Sequence, residues 1–445
     1  MSTDAITTPE HLPPTPAAGR IPGAHLALTL LVAINLFNYI DRQVLAAVEP
    51  RIRAELFPES IQPGASAELK AAAGSAMGML SSAFLIAYMF AAPVFGLLAE
   101  RMSRWLLIGF GVILWSIASG GSGWNWHHDL AVAYWILFIT RCFVGIGEAA
   151  YGPAAPAVIS DLYPIKSRGQ VMSFFYLAIP VGGALGYTFG DMVASSSLGW
   201  RWAFYLVVPP GLLLGLLCFL MREPQKGGAD PGAPHKHVGL RDYLIFLRTP
   251  SYVLNTLGMT GMTFAIGGMA FWMPDYLDYR KAGEGAVTIF GGITVLAGFL
   301  ATLAGGLAGD WLRPRWAGSY FIVSGAAMML GFPMILMMIW TPFPLAWIWV
   351  FLAVFCLFFN TGPTNTILAN VTHPALRASG FAMNILVIHL LGDVLSPPLM
   401  GWVAGYYGRD MSFIVVSVAV LVGGLFWLAG AKYLERDTAL APTRL

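Results

Sequence analysis

The chain is 445 residues long, 57% hydrophobic and 11% charged, with a formal net charge of +2. Soluble domains carry roughly 25% charged residues, so this composition belongs in a bilayer. A positive charge this small, scattered through loops instead of gathered on one face, excludes nucleic acid as a partner.

Residues 1–23, opening MSTDAITTPEHLPPTPAAGR, are polar and proline-rich. They lack the basic start, short apolar core and cleavage site of a signal peptide, and read as a disordered cytoplasmic tail. A hydrocarbon core about 30 Å thick takes about 20 apolar residues per helix. Twelve such runs follow, at 24–49, 73–99, 104–122, 130–161, 168–193, 201–221, 250–277, 285–309, 317–340, 344–371, 378–405 and 411–433. The expected fold class is an all-α membrane protein of twelve transmembrane helices.

Between the sixth and seventh runs lies REPQKGGADPGAPHKHVGLRDYLIFLRTP, Arg222 to Pro250, rich in Gly, Pro and charge. It divides the chain into a six-helix bundle at 24–221, a linker at 222–249, a second bundle at 250–434 and a tail at 435–445. The larger share of the 25 Lys and Arg residues falls in loops on the side of the termini. The positive-inside rule then places both termini in the cytoplasm of a multi-pass protein of the cell (inner) membrane.

The halves repeat each other. GLLAERMSR begins at Gly96 and GLAGDWLRP at Gly306, a shift of 210 residues, and the same shift carries Pro153 onto Pro363 and Pro164 onto Pro374. Parallel six-helix repeats are one architecture that places a site at the midplane between halves.

Ionisable groups inside the spans are Asp41 and Arg42 in NLFNYIDRQVLAAVEP, Arg141 and Glu148 in the fourth run, and His389 and Asp393 in the eleventh. A charge at the bilayer centre costs about 2.5–3.5 kcal/mol on insertion scales. The four in the first half therefore cost on the order of 10 kcal/mol unless paired or hydrated. Arg141 and Glu148 lie two turns apart on one face, and Asn35, Asn38 and Arg42 make a polar stripe with Asp41 at its edge. Depth puts Asp41 opposite Arg141, leaving Arg42 for Glu148 or for a substrate anion.

Two readings stay open: a fixed network holding two helices together, or a set in which Asp41 or Glu148 takes up a proton when an Arg moves to a bound anion. His389 and Asp393, at i and i+4, are a secondary site, either a proton relay or a satisfied pair. The uncharged candidates of the second half are Thr260 (with Thr256 and Thr263), Asn360, Thr364 and Asn384. Such residues bind ligand or glue helices. A charged half facing a neutral one suits an amphipathic substrate whose head group meets Arg42.

Several chemistries are missing. There is no phosphate-binding G-x-x-x-x-G-K-[ST] loop and no nucleophile elbow, so neither ATP-driven pumping nor enzymatic catalysis is expected. Cys142, Cys218 and Cys356 are far apart in apolar runs, and His127, His128 and Asp129 have no further spaced ligand. No metal or cofactor is expected, and the chain is expected to act as a monomer in the lipid bilayer.

Gly96, Leu97, Glu100, Arg101 and Arg104 match the G-x-L-a-D-r-x-g-r loop of the major facilitator superfamily, with Glu for the usual Asp. Gly306, Asp310 and Arg313 form a second copy, with Pro314 at the final basic position. NYIDR, RCFVGIGEAAYGPAAPAVISDLYP and FFYLAIPVGGALGY resemble the spinster-like branch of that superfamily. Gly182, Gly186 and Gly190 only partly match the antiporter pattern, and Ile179 precedes Pro180, so antiport is unsupported by motif. The resemblance implies two six-helix halves in the major facilitator fold, alternating access, and a cytoplasmic gate at Gly96, Glu100, Arg101, Arg104, Asp310 and Arg313. It further implies lipid-like cargo, a lysolipid or sphingoid-type molecule, moved with protons. Symport of a small organic anion such as a sugar acid is the alternative within transport, and a non-transporting membrane sensor the alternative outside it.

Overall fold

A computed structural model describes residues 23–124, 129–163, 165–225, 244–372 and 377–441. The first half comprises the spans Ala24–Leu56, Ala67–Arg101, Arg104–Gly123, Leu130–Tyr151 continued by Ala154–Leu162, Ile165–Ser195, and Arg201–Tyr205 continued by Val208–Cys218. The second comprises Pro250–Tyr279, Ala286–Leu312, Ser319–Trp340, Ala346–Phe358 continued by Thr361–Val371, Arg377–Ile388 continued by Ser396–Tyr407, and Arg409–Gly430. They are called the first to twelfth spans below. The 1–22 tail and most of the 222–249 linker fall outside the described residues.

Eleven of the spans are apolar enough to cross a bilayer on composition alone. The seventh, Pro250–Tyr279, is the exception, and its 30 residues reach about 45 Å at 1.5 Å per residue. Its polar side chains have a reason: Asn255, Thr256 and Asp275 are buried against neighbouring helices, not lipid. The first span runs one to two turns beyond the predicted 49 because Pro50, which breaks helices in water, is tolerated where neighbours surround it. Ser66 caps the second span by accepting from the Leu69 amide, and Asp129 caps the fourth through the Ala131 and Val132 amides.

Twelve crossings put both chain ends on one side of the membrane, the terminal side; the other is the far side. On the far side the halves close tightly. Ala71, Gly74, Gly78 and Ser82 make one face of the second span, and Gly401 and Gly405 one face of the eleventh. Side-chain carbons added at Gly74, Gly78, Gly401 or Gly405 would collide with backbone across that crossing. Gly78→Val is therefore expected to lower stability by about 1–3 kcal/mol or more, seen as a lower melting temperature in detergent; an unchanged Tm would mean that the crossing is loose. Gly182, Gly186 and Gly190 do the same work for the fifth span, packing on Leu36, Ile40 and Ala47 of the first.

Among the described residues, three polar links join the halves: Arg53 to Asp275, Ser82 to the Val394 carbonyl, and Tyr187 to the Ala270 carbonyl. All lie at mid-depth or toward the far side. Two of the acceptors share a cause. Pro398 lacks the N–H that would bond Val394 four residues back, and Pro274 likewise leaves Ala270 free. Each released carbonyl takes a hydroxyl from the opposite half. In the eleventh span a π-helical turn at His389–Asp393 precedes Pro397 and Pro398, so the run at 378–405 is broken at the residues singled out as a secondary site.

Candidate functional site

The first span supplies Asn35, Asn38, Asp41 and Arg42. Their side chains turn inward because the third, fourth and fifth spans offer the polar partners that lipid lacks, the Phe175 carbonyl of the fifth accepting from Asn35 at 3.0 Å. Arg42 donates from Nε to Glu148 at 2.7 Å, with a second guanidinium nitrogen 2.5 Å from the same carboxylate oxygen. Glu148 is 1% exposed, whereas the Arg42 side chain is 26% exposed, so the pair is sealed on one side and open on the other. The Arg42 guanidinium lies 4.6 Å from the Phe84 ring, 4.8 Å from Tyr39 and 5.9 Å from Tyr88. These cation–π contacts orient the group.

Asp41 and Arg141 meet through an intermediary. Ser119 of the third span donates to Asp41, and Arg141 reaches the same hydroxyl at 3.4 Å. Arg141 also donates to Ser122 at 2.7 Å and lies 5.2 Å from the Phe204 ring. Thus the expected direct Asp41–Arg141 pair is replaced by a serine bridge. The two carboxylates are poorly served: Oδ2 of Asp41 and Oε1 of Glu148 are buried with no hydrogen-bond partner among the described residues.

In the second half, His389 Nδ1 lies 2.9 Å from Asp393 Oδ2, with both side chains partly exposed. Asn384 accepts from Thr256 at 2.8 Å, and Thr260 bonds the Thr256 carbonyl of its own helix. Asn360 and Thr364 are fully buried and bond carbonyls in the tenth span; they are not brought together with Arg42.

On the terminal side, Arg104 is nearly buried. It bonds Asp161 at 2.5 Å, Glu223 at 2.7 Å and the Pro224 carbonyl at 3.2 Å. Burial works to raise the Glu223 carboxyl, but hydrogen bonds from Arg104, Ser103 and the Trp105 amide outweigh it and hold it below the usual range. This motif residue braces the first half internally. Arg104→Met is expected to cost about 2–3 kcal/mol, with a matching fall in Tm; no fall would show the contacts to be idle. In the second copy Asp310 accepts from Tyr320 at 2.8 Å, and Arg313 bonds the Ala317 carbonyl at 3.0 Å. A Cβ at Gly96 would meet open space, and Arg101 is exposed; the Glu100 side chain and residues 125–128 lie outside the described residues.

The family model described as Major Facilitator Superfamily matches residues 31–392. Protein spinster homolog 3 of Danio rerio is 31% identical over 94% of this chain and 87% of its own length.

The chain is a spinster-type member of the major facilitator superfamily.

The sphingosine-1-phosphate transporter SPNS2 of Mus musculus is 31% identical over 92% of this chain and 77% of its own. Among solved structures, a bacterial homologue of the human lysosomal transporter Spinster, in an inward-facing and unoccupied conformation, superposes with a TM-score of 0.79. It is 21% identical over 94% of this chain and 99% of its own. The xylose transporter XylE of E. coli gives a TM-score of 0.71 at 18% identity, over 94% of this chain and 99% of its own. This spinster-type chain is a transporter with the major facilitator fold, and the buried charges occupy the middle of its first half.

Sequence reasoning found the four central charges and placed Arg42 within reach of Glu148, but missed their uncharged partners. Ser119 and Ser122, three residues apart in SIASGGSG, were legible as polar positions on one face. Tyr39, Phe84 and Tyr88 were not, since an aromatic in a membrane helix most often faces lipid. A second ionic cluster also went unread. Asp275 of the seventh span takes Arg53 from the first and Arg409 from the twelfth, the latter at 2.6 Å and 3.1 Å, with Glu49 fully buried 3.6 Å from Arg53.

Proposed function

We propose that this transporter moves an amphipathic, lipid-like molecule of the lysolipid or sphingoid type together with protons, by alternating access. The terminal side is cytoplasmic on the basic-residue bias. The chain lies in the cell membrane as a monomer, acts as a carrier and not as an enzyme, and is closed toward the outside in the state described.

The observation that carries the reading is the Arg42–Glu148 pair, half sealed and half facing the central space, with an aromatic rim. An anionic head group arriving at Arg42 competes with Glu148 for the guanidinium. Once released, Glu148 is a buried carboxylate without its counter-charge, and a proton restores neutrality. Substrate and proton binding then favour each other. Asp41, held by Ser119 and facing Arg141, is the second proton site, and the His389–Asp393 pair and Asn384 supply the opposite wall. The spinster relatives, one of them a sphingosine-1-phosphate transporter, support lipid-like cargo over a sugar acid.

Reconstitution into liposomes tests this. An imposed pH gradient is expected to drive uptake of a labelled lysolipid but not of a sugar acid. Movement of the sugar acid alone would replace the substrate assignment, and lysolipid movement indifferent to the gradient would end the proton assignment.

A further inference from the structure

Directly above the Asp275 cluster, on the far face, lies a cavity of about 380 Å³. Its charged lining residues are Arg53, Arg409 and Lys70; Ser60, Gln62 and Trp272 complete its polar wall, and no carboxylate lines it. Asp275 is bonded to both arginines, and Glu49 lies 3.6 Å from Arg53. The lining itself carries three cations and, among the described residues, no carboxylate.

Donors are also left over. The hydrogen bond of Arg53 comes from one Nη, and its buried Nε faces Glu49 at 3.6 Å, which leaves the other Nη. Those of Arg409 come from Nε and one Nη. Lys70 stands exposed in the first turns of the second span with no carboxylate partner described. Two planar forks and an ammonium around a space of this size match a tetrahedral oxyanion, which takes paired N–H donors from arginine and a point charge from lysine.

We propose that this far-face cavity is a binding site for a phosphoryl group, separate from the central site at Arg42. The phosphoryl group is either free or the head group of a lipid, and the cavity is too small for an acyl chain. Its cations come from both halves, Arg53 and Lys70 from the first and Arg409 from the second, so a bound phosphoryl group bridges them and acts as a ligand of the closed state.

Calorimetry on the purified full-length transporter at low salt tests the site with two probes, inorganic phosphate and dodecyl phosphate below its micellar concentration. Lys70→Met, which touches an exposed residue and leaves the Asp275 cluster in place, is expected to weaken phosphoryl binding about tenfold. Arg42→Met is expected to leave inorganic phosphate binding unchanged. Response to both probes marks a general phosphoryl site, and response to dodecyl phosphate alone marks a lipid head-group site.

A second readout uses spin labels at Gln62 and Tyr407 with Cys142, Cys218 and Cys356 replaced. Saturating phosphoryl probe is expected to deplete the long-distance population. Binding that Lys70→Met leaves intact, binding abolished by Arg42→Met, or no binding of either probe at tens of millimolar overturns the proposal. A long-distance population that does not shrink under saturation overturns the bridging between the halves.

Discussion

Glu148→Gln is expected to bring lysolipid uptake driven by a pH gradient down to background, a loss of about a hundredfold or more. Glutamine keeps the volume and hydrogen-bonding reach of the side chain but cannot lose a proton, so the transporter is fixed in the equivalent of its proton-loaded form. Arg42 is simultaneously left as a buried cation without its counter-charge, and breaking one partner out of such a pair costs about 3–5 kcal/mol. Exchange of labelled for unlabelled substrate at equal pH should persist, because it needs no net proton movement. That split between gradient-driven uptake and exchange separates a coupling role from a collapse of the fold. Uptake in the variant that still follows the gradient would move the coupling elsewhere, Asp41 being the next residue to test.

The second large effect is expected at the far side. Asp275 holds one arginine from the first half and one from the twelfth span, so Asp275→Asn leaves Arg409 without its carboxylate and Arg53 with Glu49 alone. A loss of about 3–5 kcal/mol from the closed state shifts the closed-to-open ratio by roughly 10²–10³. Labels at Gln62 and Tyr407 should report a long-distance population that is minor in the parent and major in the variant. Pairing Asp275→Asn with Arg53→Gln removes one stranded charge and should recover part of the closed population. A distance distribution that Asp275→Asn leaves unaltered would show that glycine packing between the second and eleventh spans alone keeps the far side shut.

Much of this molecule is legible in its residues, for reasons that differ from element to element. Long apolar runs have few alternatives in a bilayer, so the spans fall close to their predicted positions; only the seventh is underweight in apolar residues, because it faces protein. Asp41, Arg42, Arg141 and Glu148 stand out because a buried charge is costly and therefore rare.

Their pairing was only partly legible. Depth along a helix identified Arg42 with Glu148, but depth carries no information about rotation, and Ser119 turned out to stand between Asp41 and Arg141. The Asp275 cluster went unread for a related reason. Arg53, Asp275 and Arg409 sit at span ends, where single charges are ordinary, and nothing in the linear order shows that three such ends converge.

The proline-released carbonyls of Val394 and Ala270 carry a consequence for how the molecule opens. A main-chain oxygen inside a membrane must have a partner in every state that is populated. While the halves are together, Ser82 and Tyr187 serve; once they part, neither oxygen has an amide of its own helix to fall back on, and only water is small enough to follow. Opening the far side is thus a wetting event at two fixed points, and the transporter parts its halves only as fast as water threads between them. Alanine in place of Pro274 or Pro398 would return each oxygen to its own helix and let that seam open dry.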